Sequence, residues 1–97
     1  MFDFLYENGI TEDVVALIIK NNSKNVVADF LCNSDNCIKI ISSLRELGIN
    51  NINDLLIYRI DLFMQTFNMF KKKIDNINVD EFVNLVNDDY NNIDIIY

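Results

Sequence analysis

An all-α domain is predicted by three observations. Apolar residues recur at three- and four-residue spacing along almost the whole chain, strand-type alternation is nearly absent, and a capping residue precedes most apolar runs. The chain has 97 residues, of which 51% are apolar, including fifteen Ile, seven Phe and four Tyr. That suits one domain with a core of its own. The expectation is a single domain over residues 1–97: a compact bundle of six to eight short helices, arranged as two to three stacked helix-turn-helix units.

The first helix is expected over about Phe2 to Asn8, with Phe2, Leu5 and Tyr6 on one side and Phe4 beside them. Gly9 suits the left-handed residue that closes a helix. Thr11 caps a second helix, with Glu12 and Asp13 in the first turn, where the helix dipole favours anions. Val14, Leu17 and Ile18 give it an apolar stripe, and Asn21 and Asn22 end it. Ser23 caps a third helix carrying Val26, Val27, Phe30 and Leu31. Asn33 closes that helix and Ser34 caps the fourth, which holds Ile38, Ile41 and Leu44 on one line with Ile40 and Leu47 alongside. Gly48 closes it.

A fifth helix follows from about Asn51, burying Ile52, Leu55 and Leu56. The sixth starts near Asp61 and has the cleanest stripe: Phe63, Phe67, Phe70 and Ile74, widened by Leu62 and Met69. Asn78 caps a seventh helix, with Glu81 three residues on, close to a capping box. Its inner face is Val79, Phe82, Val83 and Val86. Ile93, Ile95, Ile96 and Tyr97 must pack on this chain or on a partner.

The joints recur. Gly9-Ile10 is followed by Val14, Leu17 and Ile18, and Gly48-Ile49 by Ile52, Leu55 and Leu56. A third copy is expected at Val79, followed by Phe82, Leu85 and Val86. Such spacing fits stacked helical units, each covered by the next. The segment Leu44-Arg45-Glu46-Leu47-Gly48-Ile49, with Ile52, Asp54-Leu55-Leu56 and Asp61-Leu62-Phe63, resembles the repeat of mitochondrial transcription termination factor-like (mTERF-like) proteins. Phe4-Leu5 through Gly9-Ile10 to Leu17-Ile18 resembles a second copy. The resemblance spans about two thirds of the chain and implies short helices stacked into a curved solenoid that holds duplex nucleic acid on a basic concave face. The chain differs in two respects: the repeat's proline would fall near Asn22 or Ile60, and the basic surface is missing.

Composition excludes several chemistries. The chain has no His, Trp or Pro and two Gly. Without His there is neither a Ser-His or Cys-His pair nor an imidazole metal site, and two glycines cannot write a phosphate loop. Cys32 and Cys37 lack the further soft ligands that zinc needs and read as structural thiols. The acid pairs Glu12-Asp13, Asp80-Glu81 and Asp88-Asp89 sit at helix ends and turns. Desolvated catalytic carboxylates do not sit there. Asp88, Asp89 and Asp94 lack the glycine and terminal Glu of a calcium loop. The expectation is no enzyme, no cofactor and no metal.

The richness in Asn and Ile matches an AT-rich genome, so the number of Asn carries no weight. No apolar run is long enough to span a bilayer, and the first residues lack a secretory pattern. The expected location is the cytoplasm, its own or a host's.

Charge is the remaining signal. Fifteen acids against eight bases give −7. Residues 74–97 hold Asp75, Asp80, Glu81, Asp88, Asp89 and Asp94 and no base. Lys71, Lys72 and Lys73 are the one basic cluster, and successive residues point around a helix, so they make no single basic face and nucleic acid is not the expected partner. The leading expectation is a non-catalytic module that binds a protein partner with a basic surface through Asp80, Glu81, Asp88, Asp89, Tyr90, Asp94 and Tyr97. Its sharper form is an acidic inhibitor of a basic nucleic-acid-binding protein, the kind of role small phage-encoded anti-defence proteins play. The alternative is direct nucleic-acid binding through Lys71, Lys72 and Lys73, with Lys39 or Arg45 added if the fold gathers them. Residues 93–97 could also pair two copies of the chain.

Overall fold

Capping side chains and two left-handed glycines set most of the boundaries. In the computed structural model, which describes residues 1–96, the order is α1 (Asp3–Tyr6), α2 (Glu12–Asn21), α3 (Lys24–Cys32), α4 (Ser34–Leu47), α5 (Ile52–Tyr58), the 3-10 segment η1 (Ile60–Met64), α6 (Phe67–Asp75), α7 (Val79–Asp88) and the 3-10 segment η2 (Tyr90–Ile96), with no strand among the described residues. The chain is an all-α bundle. Ser23, Thr66 and Asn78 cap α3, α6 and α7, each accepting from the backbone N–H three residues on. Asn33, rather than Ser34, is the N-cap of α4.

Gly9 and Gly48 have φ of 82° and 99°, where a Cβ would be strained. Each ends its helix in the same way. Gly9 and Ile10 donate to Tyr6 and Leu5, and Gly48 and Ile49 donate to Arg45 and Leu44. This is the paired closure that satisfies the last carbonyls of a helix. Ile10 and Ile49 then turn into the core.

Asparagine closes other ends. The Nδ2 of Asn8, Asn21, Asn22, Asn33 and Asn76 each donates to the carbonyl four residues earlier. Leu17 aside, these carbonyls are among the last four of their helices, which have no partner within the helix. The sixteen Asn are therefore not only a compositional drift.

One expected element and the burial of three residues are corrected. The long sixth helix breaks between Met64 and Phe67, because Gln65 is extended and Thr66 starts a new helix. The stripe survives the break: Phe63, Phe70 and Ile74 are buried and Phe67 is half-buried, but Met69 is exposed. Leu17 and Tyr6, expected inside, are also largely exposed. The 3-10 period of three puts Tyr90, Ile93 and Ile96 on one line. Ile93 and Ile96 are buried in this chain, while Ile95 is 48% exposed.

The two helices that end at the glycines pack together, as do two that follow them. α1 lies on α4 and α2 on α5, and Asn22 Nδ2 donates to Ile57 O, which ties the ends of α2 and α5 together. A further joint, between α7 and η2, lies at Asp89. Asn51 Nδ2 donates to Val86 O, and Asn87 exchanges bonds with Asn50 N and Gly48 O, so α7 ends where α5 begins. The chain then runs past α5, with Tyr90 stacked on Tyr58 at 5.4 Å and Asp94 paired with Arg59. The sequence Asn50-Asn51-Ile52 recurs there as Asn91-Asn92-Ile93. One core runs through all the units, with Phe30, Phe63, Phe70 and Phe82 at most 1% exposed. Among the described residues no polar or charged side chain is fully buried, and no helix is long and apolar enough to cross a membrane.

Candidate functional site

α7 sorts its residues by helical period. Phe82 and Val86 are buried, and Val79 and Val83 are half-buried beside them. Asp80, Glu81, Asn84 and Asp88 are exposed, and their spacing puts them on one arc of the opposite face. Three of the expected partner-binding acids thus share a face. Asp80 and Glu81 sit in the first turn, where the dipole favours them. Asp88 sits in the last turn, where it does not. No ion pair offsets Asp88 among the described residues.

Beside this arc is a cleft of about 210 Å³, lined by Ile77, Asn78, Glu81, Phe82, Leu85 and Ile95. Glu81 stands where the acidic arc meets the apolar cleft. The sequence does not single out Ile77, and it gives Leu85 a place only in the third apolar copy. Leu85 follows Glu81 by four positions, and that spacing is the signal that could have placed it here.

The other expected residues are engaged differently. Asp89 is exposed, and its Oδ1 accepts from Asn91 N at 2.9 Å, which holds the turn after α7. Asp94 pairs with Arg59, whose side chain is 18% exposed. Tyr90 is half-buried against Tyr58. Tyr97 lies outside the described residues. Asp75 aside, which ends α6, the acidic third is therefore two groups: carboxylates on the α7 face, and carboxylates that hold the following turn and η2.

The three lysines diverge. Lys73 Nζ donates to Gln65 Oε1 at 3.2 Å, Lys72 is exposed, and Lys71 faces Lys39 across a groove between α4 and α6. Arg45 is elsewhere, with Nη2 3.7 Å from where a Cβ on Gly9 would stand. The two thiols differ as well. Cys32 is exposed, whereas Cys37 is buried, and burial pushes its thiol up to about 12. Cys37 is thus a protonated packing group. No three of Cys, Asp and Glu converge as a metal site among the described residues. Comparison with protein families, curated proteins and solved structures finds no match to this chain.

Proposed function

We propose that this protein is a non-catalytic interaction module whose α7 face docks on a basic protein surface. The observation that carries the reading is Asp88, with Asp80 and Glu81 on the same arc. An anion in the last turn of a helix costs about 0.3–1 kcal/mol, and no base in residues 74–97 offsets it. A cationic partner would turn that cost into attraction. The neighbouring cleft of Ile77, Leu85 and Ile95 offers an apolar anchor point, so that docking does not rest on screened surface charge alone. A basic nucleic-acid-binding protein has the matching chemistry, and occupation of its phosphate-binding surface would inhibit it. The expected location is the cytoplasm in which such a partner works.

Affinity purification from lysate, at low and moderate salt, tests this. Wild type is compared with a bait bearing Asp80→Lys, Glu81→Lys and Asp88→Lys, and with a control bearing Glu12→Lys and Asp13→Lys. The expected result is a protein retained by wild type and control and lost by the α7 variant. Equal retention by all three, or nothing above background, contradicts the reading.

A second reading draws on the pairing of α1 with α4 and of α2 with α5. Stacked equivalent helices suit the mTERF-like arrangement, with Lys39 and Lys71 as the contact to duplex nucleic acid. It predicts measurable duplex affinity at low salt, abolished by Lys71→Glu with Lys72→Glu and Lys73→Glu. The divergence of the three lysines makes this the weaker of the two.

A further inference from the structure

A second surface lies apart from the α7 arc. α4 and α6 enclose an open groove of about 460 Å³. Phe67 N donates to Asn36 Oδ1 at 3.2 Å, which sets the start of α6 beside the start of α4. Both helices then line the groove along its length, so they run in the same direction. The half-buried Ile38, Leu47 and Phe67 and the buried Ile74 supply its apolar surface.

The charges are ordered along it. In each helix the lysine comes first, Lys39 in α4 and Lys71 in α6, and the acid follows, Glu46 and Asp75. At 1.5 Å per residue Glu46 lies about 10 Å beyond Lys39 and Asp75 about 6 Å beyond Lys71. All four are exposed, and none is in an ion pair among the described residues. The groove is thus an apolar trough with a cationic end and an anionic end.

We propose that this groove receives an amphipathic helix from a protein partner, one that carries an acidic and a basic side chain one to two turns apart on either side of an apolar stretch. The trough between two packed helices takes the ridge of a third. The charge order selects a helix of mixed charge over a purely basic or acidic one. An extended segment finds no sheet edge here, since the described residues contain no strand. A second copy related by a two-fold that matched the charges would set groove against groove and leave both unfilled.

The test uses stapled helical peptides that share one leucine face and differ only in their two flanking charges: Glu with Lys, Glu with Glu, or Lys with Lys. Binding is read by fluorescence anisotropy at low salt. The mixed peptide is expected to bind about five- to tenfold tighter than either of the others, as several exposed pairs would give. Lys39→Glu with Lys71→Glu makes the groove acidic throughout and moves the preference to the Lys-Lys peptide. Ser42→Trp fills the groove and abolishes binding of all three. Charge reversal at Asp80 and Glu81 changes none of this, which separates the groove from the α7 face. Equal binding of the three peptides, no binding at millimolar concentration, or a preference that the Lys39 and Lys71 changes fail to move would overturn the proposal. So would dimerisation in sedimentation equilibrium that Ser42→Trp abolishes.

Discussion

The α7 face and the turn that follows it carry the same kind of charge and use it differently. The side chains of Asp80, Glu81 and Asp88 are in no ion pair among the described residues. Asp89 and Asp94 hold the turn and fix η2 to Arg59. Sequence shows six acids in a row of 24 residues, and structure divides them into those with an internal partner and those without. Net charge alone does not mark a docking surface; what matters is whether a carboxylate already has work inside the fold.

The contrast can be broken from its foundation. Phe82 is 1% exposed and seats α7 on the core. Phe82→Ala is expected to cost about 3–5 kcal/mol and to remove both surfaces together, measured as urea unfolding and loss of partner retention. If partner retention survives, the docking surface does not depend on α7.

Next is the tie between α7 and α5. Asn51 Nδ2 donates to Val86 O, while its Oδ1 is buried without a hydrogen bond. Asn51→Ala strands the Val86 carbonyl and is expected to cost about 1–2 kcal/mol in the same unfolding measurement. Gly48→Ala is expected to cost a similar ~1–2 kcal/mol. Its new Cβ would meet Val83 Cγ1 only at 3.8 Å, so the cost comes from the left-handed backbone and not from a clash.

Smaller effects come from the pair at the turn. Asp94→Asn is expected to cost about 0.2–1 kcal/mol, an effect that shrinks as salt is added. The same division between engaged and free groups separates the two thiols. In the folded protein at pH 8, iodoacetamide is expected to label Cys32 and not Cys37, and in urea to label both. The Cys37 thiol is raised from 9.0 to about 12, so above pH 9 the unfolded chain has released a proton that the folded chain keeps. Its contribution is intact below pH 9 and is lost as the pH rises towards 12.

Much of this fold was legible in the sequence. The two glycine joints, the Ser23 and Asn78 caps and the inner face of α7 follow from local chemistry, and local chemistry decides them. The break at Gln65-Thr66 was hidden because the Phe63, Phe67, Phe70 and Ile74 stripe keeps its spacing across it. The joint at Asp89, between α7 and η2, carries no glycine and so gives no local signal. The abundance of Asn reads as compositional, although its positions at helix ends carry the signal. For the site, the sequence revealed the acids and could not reveal which were engaged. The pairing of Asp94 with Arg59 joins residues 35 positions apart, and the α4–α6 groove needs the packing of two helices.

The central claim is that the α7 face is kept for a partner and not for the fold, and Asp88 tests it most directly. Asp88→Lys places a cation in the last turn of α7, where the dipole favours it. The account predicts a melting temperature that rises by a few degrees, together with loss of the retained partner, whereas Asp94→Asn lowers the melting temperature and keeps the partner. A melting temperature that falls in Asp88→Lys, or a partner retained as well as by wild type, would contradict it.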